Sequence, residues 1–201
     1  VFVHSRGDTF KTASALIQLA TDQNGLGHFD PRLHPQYSYF WQQVSKSRNR
    51  QLSLMFDNGF GIHHAGMLRA DRVLTEKMFL AGILQVLCCT ATLAWGVNLP
   101  ARSVIIKGTS IFDSQAGGFK DLGILDVQQI FGRAGRPGFD TRGSATLITG
   151  HDKLNHFLQL LLHQKPIESQ FLENMANSLN AEISMGNVSS EKDAADWLRY
   201  T

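Results

Sequence analysis

The sequence predicts an α/β fold, a parallel sheet covered by helices, followed by a short segment made of helices alone. Two observations support this fold class. Short runs rich in β-branched and apolar residues alternate with amphipathic stretches, and 43% of the 201 residues are apolar, enough to bury a substantial core. From residue 152 onward the chain contains no further run of strand composition and only helical periodicity.

Five runs have the composition of buried strands, and helical spacing of apolar residues fills most of the chain between them. The predicted strands are residues 1–4, 61–64, 85–89, 104–107 and 145–149. The first predicted helix, 8–22, has Asp8 or Thr9 as its expected N-cap. The other predicted helices are 38–56, 69–81, 124–134, 153–163, 168–179 and 191–200. Residues 25–58 are interpreted as an insert in the α/β core, with Arg48 and Arg50 on the polar side of its helical run.

The charge of the chain is unevenly distributed. The 19 Lys and Arg against 17 Asp and Glu leave +2 overall, which by itself indicates no nucleic-acid or membrane partner. Residues 1–165 nevertheless have a net charge of +6 and residues 166–201 one of −4. This change predicts a domain junction near Pro166.

The cysteines and the apolar runs limit the cellular context. Cys88 and Cys89 are adjacent within a predicted strand, so they form no disulfide framework, and we expect an intracellular protein. No apolar run approaches the roughly 20 residues of a membrane span, so no membrane partner is expected. The first residues read as a strand without a signal peptide, which indicates a piece of a longer polypeptide.

The most specific motif is Gln129-Ile-Phe-Gly-Arg-Ala-Gly-Arg-Pro137. On a continuous helix Gln129, Arg133 and Arg136 would share one face, opposite an apolar face. Two guanidinium groups beside glycines suit phosphate oxygens, because the planar fork binds bidentately and stays charged. The alternative interpretation is a surface salt-bridge pair.

Two further motifs follow predicted strands. The first is Thr90-Ala-Thr-Leu-Ala-Trp-Gly-Val-Asn-Leu-Pro-Ala101. Its hydroxyl groups follow a predicted strand, at the end where parallel sheets bind ligands. The alternative interpretation of this motif is an ordinary turn after a strand. The motif His63-His-Ala-Gly-Met67 precedes a predicted helix whose N-terminus suits a phosphate. Adjacent histidines on a strand point to opposite sides and are poor joint metal ligands, so no metal site is predicted and at least one histidine should be buried in the core.

The chain has no phosphate loop. It contains no Gly-Lys pair and no Asp-Glu pair, so the residues that would cradle a triphosphate and Mg²⁺ are absent. Arginines that face phosphate without such a loop make sense if a second domain holds the nucleotide and these arginines reach across to it.

Taken in order, four segments resemble motifs IV, IVa, V and VI of the superkiller-like group of superfamily-two helicases. They are Phe2-Val-His-Ser-Arg6 and residues 63–67, 90–101 and 129–137. The amino-acid sequences of these motifs are similar to those of the large two-cassette members of the group. The resemblance implies a second RecA-like domain at 1–165 and the beginning of a winged-helix domain at 166–201. The insert 25–58 departs from minimal family members by its length.

The resemblance also implies site roles. Arg133 and Arg136 would contact the γ-phosphate of ATP, Gln129 would help to sense the nucleotide, and Gly96 and Asn98 would line the nucleotide side. The residues implied near the nucleic-acid backbone are Arg6, His64, Gly66, Thr90 and Thr92. ATP and Mg²⁺ would be bound mainly by the missing first RecA-like domain.

The implied function is the C-terminal motor domain of an ATP-dependent helicase. Implied partners are single-stranded or partly duplex DNA or RNA, the other helicase domains of the same chain, and a multi-protein complex in the nucleus or the cytoplasm. A non-catalytic cassette that acts as a binding scaffold is the alternative. An independent Cys or His hydrolase is excluded, because no base is placed by spacing near either cysteine.

The missing phosphate loop leads to a prediction for the isolated 201 residues. They should show no measurable ATP hydrolysis and only weak, salt-sensitive affinity for single strands. A phosphate-release assay and a filter-binding titration check this expectation. Turnover at helicase-like rates would contradict the two-domain interpretation.

Overall fold

The computed structural model describes residues 1–97, 99–113, 117–135, 138, 140–162, 169 and 171–200. These residues form two compact units, Val1–Leu158 and Gln159–Thr201. The change of charge predicts a junction near residue 165, within a stretch (163–168) that lies outside the described residues. The assignment of 1–165 and 166–201 to a RecA-like and a winged-helix domain stays a prediction.

The described strands of the first unit are β1 (Phe2–Val3), β2 (Phe60–His63), β3 (Val86–Thr90), β4 (Ser103–Lys107), β5 (Ser110–Asp113), β6 (Gly118–Asp121) and β7 (Ser144–Ile148). Five of them form a sheet in which all neighbouring strands are parallel, in the order β2-β3-β1-β4-β7. The other two, β5 and β6, form a separate hairpin. All five predicted strands are present with small shifts at their ends, and the predicted α/β fold class is confirmed. The hairpin of β5 and β6 was not predicted.

The helices are α1 (Arg6–Asp22), α2 (Tyr37–Val44), α3 (Arg50–Phe56), α4 (Arg69–Leu80), α5 (Thr92–Gly96), α6 (Ile124–Phe131), α7 (Leu154–Leu161), α8 (Phe171–Ser184) and α9 (Glu191–Tyr200). Two groups of buried side chains hold α1 and the helices α2, α3 and α4 against the sheet. One group joins α1 to β2 and β3 through Ala13, Ile62 and Cys88. The other joins the insert to α4 through Phe40, Phe56, Met78 and their buried neighbours.

Two predictions about helix ends are wrong. Helix α1 begins at Arg6 and is capped by Ser5, whose Oγ accepts a hydrogen bond from the Asp8 amide at 3.1 Å, so neither Asp8 nor Thr9 is the cap. The predicted helix 38–56 is two helices, because Asn49 has an extended backbone and its side chain accepts bonds from two amides of α3. An N-cap residue has a non-helical backbone, so one continuous helix cannot run through Asn49.

The helix predicted over 124–134 ends at Phe131. Beyond Gly132 the chain forms a short parallel bridge, in which the Ala101 amide donates to the Arg133 carbonyl at 2.9 Å and the Gly135 amide donates to the Ala101 carbonyl at 2.7 Å. Gly135 has a φ of +90°. A left-handed residue that is bonded to another strand cannot continue a helix, so Gln129 and Arg133 do not share one helical face.

The hairpin of β5 and β6 stands outside the main sheet. Its strands are antiparallel, and the rings of Phe112 and Phe119 lie edge to face with centroids 5.5 Å apart. Lys153 joins the two strands at their base: its Nζ donates to Ser110 Oγ at 2.8 Å and pairs with the Asp121 carboxylate. The hairpin was missed because its short strands bury little apolar surface and lack a strand signature.

Gly59, between α3 and β2, provides a test of the fold. It has a φ of +74°, and a Cβ there would lie 1.8 Å from the Phe29 carbonyl oxygen. Gly59→Ala should therefore cost several kcal/mol in the free energy of unfolding. Gly82→Ala is the matched control, because Gly82 has a φ of +82° with nothing within 4 Å of a Cβ, and it should cost only about 1–2 kcal/mol. Urea unfolding measures both; equal losses would contradict the packing described.

Candidate functional site

The five residues that the sequence suggests for a nucleic-acid backbone lie along one edge of the sheet. Val3 is opposite Thr90 in the register, and His63 is opposite Cys89, so β1, β3 and β2 end at the same level. The residues that follow these strand ends are Arg6, His64, Gly66 and Thr92, and Thr90 is itself the last residue of β3. The carboxyl edge of a parallel sheet is where such folds bind ligands.

Gly66 lies against both Arg6 and His64. A Cβ on Gly66 would lie 3.1 Å from Cδ of Arg6 and 3.2 Å from both Nη1 of Arg6 and Nδ1 of His64. The Gly66 amide donates to His64 Nδ1 at 3.1 Å. A glycine at this position thus allows the guanidinium and the imidazole to pack against the backbone, with Arg6 exposed to solvent.

The electrostatics of this cluster favour the neutral form of His64. Burial lowers the pKa of His64 below its ordinary value, and the positive charge of Arg6 lowers it further. The cluster therefore presents one permanent cation, Arg6, beside an imidazole whose Nδ1 accepts the Gly66 amide and whose Nε2 is left to donate a hydrogen bond.

Thr90 and Thr92 form the next part of the edge. Their hydroxyl oxygens are 2.9 Å apart and share a hydrogen bond, and Thr92 opens helix α5. Hydroxyl groups at such a position can bond phosphate oxygens without reading a base.

The residues suggested for ATP gather at α5. Arg133 donates from Nη2 to the Ala94 carbonyl, and Gln129 donates from Nε2 to the same oxygen at 3.5 Å. Gly96 is the last residue of α5. Arg136 and Asn98, which complete the suggested set, lie outside the described residues.

The turn that carries Arg133 is held by close backbone packing. A Cβ on Gly143 would lie 2.6 Å from the Ala134 carbonyl carbon and 2.6 Å from the Gly135 nitrogen. Sequence reasoning missed this contact, the bridge to Ala101 and the Ala94 carbonyl as a partner. No motif signals them, because each partner is a backbone atom distant in sequence.

Other reactive side chains are buried. His63 is 3% exposed and its Nε2 bonds Glu76 Oε1 at 2.8 Å, which confirms the prediction of one core histidine. Burial raises the pKa of the Cys89 thiol to about 12 and also raises that of Cys88, so neither is a nucleophile at neutral pH. In the described ranges no group of three or more His, Cys, Asp or Glu is placed to hold a metal ion.

A cavity of about 510 Å³ continues the carboxyl edge beyond Arg6, towards β4 and β7. His4, Lys107 and Lys153 line it, together with the two hairpin phenylalanines. The sequence did not suggest this cavity, because its lining comes from strand ends and a hairpin far apart in the chain.

A parallel sheet with polar groups at its carboxyl edge, and an arginine-bearing turn bonded to Ala101, agree with the second RecA-like domain of a helicase that the sequence suggests. Residues 35–138, about half of the chain, match the model of the helicase conserved C-terminal domain, and the chain belongs to this family.

Curated relatives agree with this assignment. The chain is 57% identical over 201 residues to DExH-box ATP-dependent RNA helicase DExH14 of Arabidopsis thaliana, covering all of this chain and 9% of that protein. It is 55% identical to activating signal cointegrator 1 complex subunit 3 of Homo sapiens, again all of this chain and 9% of the relative. To RQC trigger complex helicase SLH1 of Saccharomyces cerevisiae it is 53% identical over 204 residues, 10% of that protein.

These relatives confirm the resemblance to superkiller-like helicases and the similarity to one particular member of that group. Residues 118–137 favour the helicase subunit of the activating signal cointegrator complex over the spliceosomal two-cassette helicase, and the subunit is among the relatives found. The chain spans about a tenth of the length of these proteins.

The cluster around His64 leads to a prediction about its titration. Arg6→Gln removes a positive neighbour, so the pKa of His64 should rise towards the ordinary 6.5 while staying below it because of burial. Arg32→Gln is the control, since Arg32 pairs with Asp30. NMR chemical shifts of the imidazole across a pH titration measure both variants.

The lowered pKa of His64 also makes the free energy of unfolding depend on pH. The unfolded chain takes up the His64 proton at a higher pH than the folded chain, so this group should reduce the free energy of unfolding as the pH falls below about 6.5. An unchanged His64 pKa in Arg6→Gln would contradict the electrostatic influence of Arg6 on His64.

Proposed function

We propose that this chain is the C-terminal motor domain of an ATP-dependent nucleic-acid helicase. In this proposal Arg133 and Arg136 contact the γ-phosphate of ATP held by a first RecA-like domain, and the carboxyl edge grips a single-strand backbone. The observation that carries the proposal is helix α5. Its first residue, Thr92, belongs to the backbone edge, and the Ala94 carbonyl accepts the bonds of Arg133 and Gln129.

Helix α5 provides a physical link between the two proposed sites. Ala94, whose carbonyl accepts the bond of Arg133, is only two residues from Thr92 in the five-residue helix. Movement of the guanidinium towards a phosphate would therefore move or release this helix. Thr92, and Thr90, which shares its hydrogen bond, would then change their hold on the strand.

The chemistry divides between two domains. The triphosphate and Mg²⁺ would be held mainly by the first RecA-like domain, because this sequence lacks the Lys and the acidic pair for that task. Mg²⁺ would neutralise charge on the phosphates. The contribution of this chain is to place guanidinium groups where negative charge develops, and Gln129 would report whether the nucleotide is present.

The edge suits a backbone of any sequence. Arg6, the Gly66 turn and the two threonines offer one cation, backbone amides and hydroxyl groups, which bond phosphates rather than base edges. The relatives include a protein named as an RNA helicase and others named as subunits of complexes. We therefore infer DNA or RNA strands, the other helicase domains of the parent chain and a multi-protein complex as partners, in the nucleus or the cytoplasm.

No membrane partner is part of the proposal. Among the described helices, none is long and apolar enough to cross a bilayer.

Arginine substitution in the full-length parent tests the function. Arg136→Ala and Arg133→Ala should each reduce nucleic-acid-stimulated ATP turnover, by up to about 10³–10⁵-fold, the value of a finger arginine in related phosphoryl transfers. Arg32→Ala, an exposed arginine of the insert, should turn over ATP like the wild type. A coupled ATPase assay with saturating single strand gives the comparison.

The outcome also separates the active motor from a scaffold cassette. Unchanged ATP turnover in Arg136→Ala would contradict the assignment of this cassette as an active motor. Retained strand affinity in that variant would then favour a binding scaffold.

A further inference from the structure

The insert carries a group of exposed cations for which the proposed function has no role. Lys46 and Arg48 lie in the linker between α2 and α3, Arg50 is the first residue of α3, and Arg69 is the first residue of α4. All four are exposed. Across the ranges that the structure describes, none of them forms an ion pair. We refer to these four residues as the linker surface.

The linker is fixed to the beginning of α4. Ser47 Oγ donates to Asp71 Oδ1 at 2.8 Å, and the Asn49 amide donates to Ser47 Oγ at 3.0 Å. Asp71 is only 7% exposed and lies in the first turn of α4. Because Lys46 and Arg48 flank Ser47 directly, this buried anchor holds both of them near the beginning of α4, where Arg69 is the first residue.

The topology places the linker surface on the carboxyl edge of the sheet. Helix α3 packs on β2, and only residues 57–59 connect its end to the beginning of that strand, so the helix and the strand run in opposite directions. The beginning of α3 is therefore at the carboxyl end of β2. Helix α4 begins at this same end, because it follows β2 through the His64 turn.

The distance to the Arg6 cluster is short. Gly66, which touches Arg6, is five residues before Asp71, and five residues of chain span at most about 18 Å. A backbone bound at Arg6 can thus reach the linker surface.

We propose that the linker surface is a second phosphate-binding site for the nucleic-acid backbone, which extends the path of the strand from the Arg6 cluster onto the insert. This inference rests on the proposed function. Its contacts are cation to phosphate, so they add affinity and salt dependence without sequence preference. The insert, longer than in minimal helicases of this group, would thereby lengthen the footprint of the domain.

The test compares two charge-matched double variants of the full-length parent. Arg48→Gln with Arg50→Gln removes two cations of the linker surface. Lys77→Gln with Arg102→Gln removes two exposed cations from the opposite edge, at the end of α4 and before β4. Fluorescence anisotropy with labelled oligo-dT and oligo-U, at a series of salt concentrations, gives the affinity and its salt slope.

The linker variant should bind several-fold more weakly, equally on both oligonucleotides. The slope of log affinity against log salt should become less negative by about 1.4. The reason is that each single-strand phosphate that a cation no longer neutralises reduces the magnitude of the slope by about 0.7. Arg48→Lys with Arg50→Lys should keep the slope, because an ammonium neutralises a phosphate as well. The control double should bind like the wild type.

Each other outcome has a distinct meaning. Wild-type affinity and slope in the linker variant, with weaker binding by Arg6→Gln, would overturn the linker surface and leave the proposed function intact. Wild-type affinity in both would overturn the nucleic-acid part of the proposed function as well. A loss on only one oligonucleotide would indicate recognition of the base or of the sugar and would also overturn the proposal.

Discussion

The parallel register of three neighbouring strands is the constraint on which the site depends. Because Val3 lies opposite Thr90 and His63 lies opposite Cys89, β1, β3 and β2 end together. A shift of one residue in any of these pairings would turn its side chains to the other face. It would also move Arg6, Thr92 or Gly66 away from the edge. The buried residues of these strands, among them Phe2, Ile62 and Cys88, hold the register.

A second constraint is the close approach of backbones around the arginine turn. Gly135 has a positive φ, and Gly143 lies where any Cβ would overlap the Ala134 carbonyl carbon. These glycines let the chain leave α6 and bond to Ala101, so Arg133 is directed at α5 rather than along a helix face. Gly135, within the motif, and Gly143, beyond it, therefore serve the geometry of the turn.

The insert is joined to the core through apolar packing. Phe40, Val44, Leu52 and Phe56 are buried against Met78 and Leu84. Burial of this kind stabilises by about 1.5–3 kcal/mol for each large side chain, before the cost of conformational entropy. The linker between α2 and α3 is therefore held at both ends by rigid helices, with the Ser47 to Asp71 bond between them. A surface held in this way presents its charges without a large ordering cost.

The sequence by itself determined the strands of the main sheet and the chemical types of the site. Alternation of apolar runs and amphipathic stretches predicted all five strands of the main sheet, because this patterning is local. The residues that the carboxyl edge brings together were implied by the resemblance of the motifs to a group of helicases. Tertiary structure decided the rest. The end of α6 at Phe131, the partners of Arg133 and the anchor of the linker all depend on backbone atoms or side chains distant in sequence. Local pattern carries no information about such contacts, because each exists only once the sheet has set two remote segments side by side.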